Sequence, residues 1–215
     1  FVFVCFSRAE KIDREVAYSW MRILQRTPGS VLWMLRDLAK GGNAQTILTL
    51  RFERLAEQFS VDPARIVFCD PVDWPRHVRR GGVADVFLDT WSYNAHSTGS
   101  NTLWAGVPLV TYAGEKMAAR VAAGMNKGLW AEHYIARTRQ EYEDMAVALY
   151  SSRGRVAEGL KEGLKRNRLQ APLFDTEGMV EALERAYEMA YDVWEEGERY
   201  MHIVPVDRYG MHLEG

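Results

Sequence analysis

The sequence predicts an α/β fold, a parallel sheet covered by helices on both faces. Three observations carry that expectation. Short runs made almost wholly of apolar residues recur: FVFVCF at Phe1–Phe6, RIVFC at Arg65–Cys69 and PLVTY at Pro108–Tyr112. Such runs suit strands buried on both faces. Between them lie stretches whose apolar residues recur at helical spacing, on one side only. The links are short and rich in Gly, Pro and polar residues. Strand and helix alternating in this way build a Rossmann-like, doubly wound sheet.

Element by element, Phe1–Phe6 opens the chain as a buried strand. Asp13 is placed to cap a helix over about Arg14–Arg26, whose stripe is Val16, Trp20, Ile23 and Leu24, with Pro28 and Gly29 ending it. Ser30–Arg36 (SVLWMLR) is the second strand; Gly41 and Gly42 make a loop before an amphipathic helix bearing Leu48, Phe52, Leu55 and Phe59. Arg65–Cys69 is the third strand, and a short helix around Trp74–Arg80 leads to the fourth, DVFLD at Asp85–Asp89. NAHSTGSNTLWAGVP (Asn94–Pro108) then starts a helix at its hydroxyls and closes it with Gly106 and Pro108. Pro108–Tyr112 is the fifth strand, Gly114 and Glu115 begin a helix through Met125, and a weak sixth strand falls at His133–Ala136. From Thr138 onward only helices are predicted: Gln140–Tyr150, Val156–Lys165 and, after Pro172, a long one marked by Met179, Leu183, Tyr187, Ala190 and Trp194. The expected organisation is a Rossmann-like lobe over residues 1–137 and a helical extension over 138–215 packing on the same lobe. Trp20, Trp33, Trp104 and Trp194 sit among apolar neighbours and are expected in the core.

Composition narrows the partners. With 27 Lys and Arg against 29 Asp and Glu, the net charge is −2, which gives no electrostatic reason to expect nucleic acid. No apolar run approaches the roughly 18 residues of a membrane span. Cys5 and Cys69 lie in apolar runs and read as small core residues of a reducing compartment. The apolar start, with no Met and no signal-peptide pattern, suggests a piece of a longer protein.

In open parallel sheets ligands bind beyond the carboxyl ends of the strands. The loops there carry Lys11 after the first strand, His77, Arg79 and Arg80 after the third, and His96, Ser97, Thr98 and Asn101 after the fourth. The first backbone N–H groups of a helix have no internal partners, and the helix dipole adds partial positive charge. With hydroxyls from Ser97 and Thr98, and Gly99 permitting close approach, the HSTG turn suits a phosphate. Lys11 supplies a point charge and Arg80 a fork of donors. Each residue also has a plainer explanation. Ser97 or Thr98 fits a helix cap, His96 and His77 fit structural histidines, and Lys11 fits a surface pair with Glu15. What favours a site is convergence of three strand-end loops. Asp89 is placed to organise the loop after its strand, although a lone carboxylate is weak evidence for acid–base chemistry. No P-loop, GxGxxG after the first strand or GxSxG elbow occurs, and neither His96 nor His77 has metal-ligand spacing to other ligands.

Taken together, HVRRGGVADVFLDT, NAHSTGSNTLWAGVPLVT, GEKMAARVAAG, RQEYEDMAVAL and APLFDTEGMVEALERAYEMAY resemble the protein O-GlcNAc transferase family, over about residues 3 to 207. The match is to the carboxyl-terminal half of the family's catalytic region. The resemblance implies the second lobe of a two-lobed GT-B glycosyltransferase that binds UDP-GlcNAc. It further implies inverting transfer of GlcNAc to Ser or Thr of nuclear and cytoplasmic proteins, without a metal ion or other cofactor. Carried over by motif, Lys11 holds the diphosphate, His77 and Arg80 lie beside the nucleotide, His96, Ser97 and Thr98 cradle the diphosphate, and Asn101 faces the ribose. The implied partners are the UDP-sugar donor, protein acceptors, and an amino-terminal catalytic lobe and tetratricopeptide repeats outside this chain.

This sequence departs from the family at several of those positions. The family commonly has Asp where Asn101 stands, and Gln where Arg8 stands. The loop DPVDWPRH lacks the family's lysine, which bears on base contacts expected from the backbone near Val72 or Asp73. A related O-glycosyltransferase using another donor, such as GDP-fucose, and a module that has lost catalysis are the alternatives these departures leave open. Without the other lobe, the chain is expected to bind donor but not to complete an active site.

Overall fold

The computed structural model describes residues 1–36, 47–152, 155–198 and 201–205. Six strands, β1 (Val2–Cys5), β2 (Val31–Leu35), β3 (Ile66–Cys69), β4 (Val86–Leu88), β5 (Leu109–Tyr112) and β6 (Ile135–Ala136), form a sheet in the order β3-β2-β1-β4-β5-β6. Every neighbouring pair is parallel. That order is the one a doubly wound sheet takes when the chain builds outward from β1 in one direction, then returns and builds outward in the other. The central strands are buried on both faces: Phe3, Val4, Cys5, Val86, Phe87, Leu88, Leu109 and Val110 are nearly or fully inaccessible to water. This burial is why their runs are unbroken by polar residues.

Helices α1 (Arg14–Arg26), α2 (Ile47–Gln58) and α6 (Arg139–Ser151) form one group of touching helices. Another group contains α3 (Trp74–Gly81), α4 (Ser97–Trp104), α5 (Val121–Lys127) and α7 (Arg155–Asn167). Asp13 caps α1, its carboxylate accepting the Val16 N–H at 2.9 Å, and Val16, Trp20, Ile23 and Leu24 are all buried as the sequence predicts. Arg65 satisfies carbonyls left open where α1 ends, donating to Leu24, Thr27 and Ser30. A buried relay joins α1 and α6 to β4: the Trp20 indole donates to the Tyr142 hydroxyl at 3.0 Å, which donates to the Asp89 carbonyl at 2.9 Å. After α4, Gly106 takes φ +82°, in the left-handed region open to glycine, and the chain turns into β5.

Two sequence expectations need correction. Gly114 and Glu115 do not begin a helix. Instead the Gly114 N–H donates to Ala119 O at 2.9 Å and Arg120 donates back to Gly114 O, closing a loop. A 3-10 turn at Met117–Ala119 and then α5 follow. Nor are all four tryptophans core. Trp20 is fully buried and Trp33 half-buried against Phe6, but Trp104 is exposed with the Arg168 guanidinium over its ring, and Trp194 is 70% exposed. Residues 37–46, with the Gly41–Gly42 loop, lie outside the described residues.

The chain divides into two compact units, Phe1–Arg168 and Leu169–Gly215. The division falls later than residue 137 because α6 packs on α1, β4 and β5, and α7 on α4. In the second unit, α8 (Thr176–Glu195) is capped by Asp175, whose carboxylate accepts the Gly178 N–H. Its residues Met179, Leu183, Tyr187 and Trp194 are exposed. Among the described residues no helix is long and apolar enough to cross a membrane.

Candidate functional site

The fold places a crevice between β1 and β4. From β1 the chain goes on to β2 and β3 on one side, whereas β4 and β5 lie on the other. Connections leaving adjacent strands in opposite directions open a space beyond their carboxyl ends. The segments entering it are Ser7–Asp13 after β1 and Thr90–His96 after β4. The expected lysine and the expected HSTG turn therefore meet at the switch point of the sheet.

Lys11 ends the 3-10 turn Ala9–Lys11. Its ammonium donates to the Asn94 carbonyl at 2.7 Å and lies 3.8 Å from the centroid of the Tyr93 ring. Burial pulls its pKa down, and the Asp89 carboxylate is the largest charge acting against that shift. The ammonium spends one of its three protons on Asn94, leaving donors for an anion.

Helix α4 begins three residues after Asn94. His96 is its N-cap residue and makes no side-chain cap; its Nε2 sits 3.4 Å from Ala118 O. Ser97 and Thr98 occupy the first helical positions, and neither caps the helix. Among the described residues, the N–H groups of Ser97, Thr98 and Gly99 have no acceptor, the first internal partner being taken by Ser100 on His96 O. Unpaired amides and uncommitted hydroxyls at one helix start are what a phosphate requires. Gly99 has a different role from the one its position suggests. A Cβ there would lie 3.1 Å from Leu109 and 3.4 Å from both Ala95 and Met125, so glycine serves the packing of α4 onto the sheet.

The third loop is arranged differently from expectation. Arg80 is not a free fork. Its Nη1 donates to Asp70 O at 2.7 Å, its Nη2 lies 3.2 Å from His77 Nδ1, and its guanidinium lies over the Phe6 ring. It braces the β3–α3 loop against the end of β1. His77 also contacts Phe6, ring to ring at 5.1 Å, and burial followed by the nearby Arg80 charge lowers its pKa, which favours the neutral ring. Val72 and Asp73 lie on an exposed segment before α3, and Asp73 pairs with Arg76. Asn101 accepts a hydrogen bond from the Trp74 indole at 3.2 Å, so the Asn101 departure and the altered loop meet in one contact. Arg8 is exposed beside Glu10.

Sequence inspection passes over Tyr93 and Asn94. Tyr93 stands between Lys11 and His96, its ring 5.0 Å from the imidazole. Asn94 is wholly buried; its amide donates to Thr90 O and its carboxamide oxygen accepts the Ala122 N–H. The available signal was the unusual run of Tyr and Asn directly before the HSTG turn. Among the described residues no group of His, Cys, Asp or Glu gathers as a metal site.

The doubly wound, Rossmann-like lobe is of a kind that GT-B glycosyltransferases carry. It superimposes with TM-score 0.73 on a mutant of the Thermobaculum terrenum O-GlcNAc transferase, at 28% identity over 91% of this chain and 37% of that one. The family model for glycosyl transferase family 41 matches residues 1–183, and the chain belongs to that family. It is 38% identical over 203 residues to the probable UDP-N-acetylglucosamine–peptide N-acetylglucosaminyltransferase SEC of Arabidopsis thaliana. It is 34% identical over 213 residues to the UDP-N-acetylglucosamine–peptide N-acetylglucosaminyltransferase of Caenorhabditis elegans. These matches cover 94% and 99% of the chain but only 20% and 17% of the two relatives, so the chain spans about a fifth of their length.

Proposed function

We propose that this chain is the donor-binding lobe of a protein O-GlcNAc transferase, moving GlcNAc from UDP-GlcNAc to Ser or Thr hydroxyls of nuclear and cytoplasmic proteins with inversion and without a metal. The observation that carries this is the meeting of the Lys11 ammonium with the loop that starts α4, beside the open amides of Ser97, Thr98 and Gly99. In the transfer, the acceptor oxygen bonds to the anomeric carbon as the bond to the UDP oxygen breaks, and that oxygen takes the electron pair. The acceptor oxygen gives up its proton to a general base. Negative charge therefore grows on the diphosphate as the reaction proceeds. Lys11 and the α4 amides lie where that charge develops and stabilise the transition state more than the bound donor. His77, its neutral ring against Phe6, lines the nucleoside side, and Asn101 offers its amide to the ribose.

Labelled UDP-GlcNAc turnover by the full-length gene product tests this. Lys11→Ala is expected to lower kcat by about 10²-fold or more, and turnover is expected to survive EDTA. Normal UDP binding with no sugar transfer by the unaltered protein would support a module without catalysis instead. The changed loop before α3 and the Asn at position 101 leave a second possibility, a related enzyme with a different nucleotide donor such as GDP-fucose. Tighter binding of GDP than of UDP in calorimetry selects it.

A further inference from the structure

Asp89 is fully buried at the end of β4, yet both oxygens of its carboxylate are committed toward the crevice and its neighbouring strand. Oδ1 accepts the Ala95 N–H at 2.7 Å and Oδ2 accepts the Thr111 hydroxyl at 2.7 Å. Its backbone is fixed as well, N–H to Val110 O and carbonyl to the Tyr142 hydroxyl. The loop from Thr90 to Ala95 is thus pinned at both ends. Inside it, Thr90 Oγ1 donates to Tyr93 O, Asn94 Nδ2 donates to Thr90 O, and Asn94 O receives the Lys11 ammonium. The residue after Ala95, His96, is the N-cap of α4.

We propose that Asp89 is the positioning residue of the donor site: its carboxylate fixes the Thr90–Ala95 loop, and through that loop both the Lys11 ammonium and the first amides of α4. The inference rests on the donor-site assignment above. Asp89 touches no ligand in this scheme. The ionisable groups facing it are Cys5 from β1, Lys11 from the turn after β1 and Tyr142 from α6; its uncharged partners are Thr111 and the amides of Thr90 and Ala95. Of these only Lys11 is a cation, and the charge of Asp89 helps Lys11 keep its proton against the pull of burial. An amide at position 89 loses that charge and turns one NH2 toward a donor, an arrangement that disrupts the clamp.

UDP calorimetry on the full-length protein between about pH 7 and 9.5 tests this, with wild type, Asp89→Asn, Thr111→Val and Asp85→Asn compared. Asp85 is the control, because it makes a bond of the same kind, 2.7 Å to the Val2 N–H, at the opposite end of β4. Asp89→Asn is expected to weaken UDP about tenfold and Thr111→Val about threefold. Asp85→Asn should bind as wild type even where thermal melting shows a similar loss of stability. In Asp89→Asn the alkaline fall in affinity, where Lys11 loses its proton, should begin at lower pH. Wild-type affinity and an unshifted alkaline limb in a cooperatively melting Asp89→Asn would overturn the proposal. So would an Asp85→Asn protein that loses as much affinity. Should Asp89→Asn not fold, unchanged UDP binding by Thr111→Val rejects it in the same way. A wild-type protein that does not bind UDP fails the donor-site assignment first, and is distinguishable for that reason.

Discussion

Lys11 and Asn101 show how much a single polar side chain can be committed before any ligand arrives. Lys11 gives one proton to Asn94 O and faces the Tyr93 ring, an arrangement that aims the ammonium while leaving donors over. Asn101 instead shares its oxygen with the Trp74 indole. A ribose hydroxyl at Asn101 therefore meets an amide already held in place, which lowers the ordering cost of the contact. Asn101→Ala is expected to weaken UDP and UMP equally, by about fivefold each, as loss of a hydrogen bond worth about 1 kcal/mol does. Calorimetry with both nucleotides checks this, and a loss confined to UDP would place Asn101 at the diphosphate instead. At this scale the sequence reveals chemistry and conceals partners. His96, Ser97 and Thr98 are recognisable because their residue types and their position before an apolar helix state a purpose. Tyr93 is not, because Lys11, which it covers, and Asn94, which Lys11 bonds, are 83 residues apart for the latter pair and meet only through the fold. Arg80 looks like a free cation in sequence because its acceptor is a backbone carbonyl, which no side-chain pattern displays.

Among the elements, strands are the most legible. Burial on both faces forces unbroken apolar runs, so β1, β4 and β5 are visible before any pairing is known, and β3 shows as an apolar run although it is an edge strand with Val67 exposed. Helix starts are visible where a cap is local, as Asp13 is for α1; Thr138 caps α6 in the same way, just ahead of a helix the sequence places from Gln140. Thr138 Oγ1 accepts the Glu141 N–H at 3.0 Å, while Glu141 reaches back to the Arg137 N–H at 2.7 Å. Thr138→Ala is expected to cost about 1 kcal/mol of stability, measured by denaturant or thermal unfolding, with little change in UDP affinity. The segment after Gly114 is misread because its decisive bonds, Gly114 to Ala119 and Arg120 to Gly114, close a loop with helix-forming residues inside it. Periodicity likewise shows that α8 has an apolar stripe without showing what covers it. Its Met179, Tyr187 and Trp194 are exposed among the described residues.

For the whole molecule, the topology decides where chemistry gathers: reversal of strand order around β1 and β4 brings the Lys11 turn and the start of α4 together. The same place holds a thermodynamic cost. Burial raises the Asp89 carboxyl to about 7, with the Ala95 and Thr111 hydrogen bonds opposing the rise. A carboxyl whose folded pKa lies above its unfolded value favours folding when protonated. Its contribution is fully present below the unfolded pKa of about 3.9 and is lost as pH rises through about 7. Unfolding measured from pH 4 to 8 on wild type and Asp89→Asn should show a wild-type stability that declines relative to the variant over that range, by a few kcal/mol. Parallel curves would mean that Asp89 is not held as described. The account as a whole rests on a diphosphate seated between Lys11 and the α4 amides. Its most direct test is the affinity of the full-length protein for UDP against UMP, with and without Lys11→Ala. UDP should bind much more tightly than UMP, and the Lys11→Ala substitution should erase most of that difference. Equal affinities for the two nucleotides, or a difference that Lys11→Ala leaves intact, would contradict it.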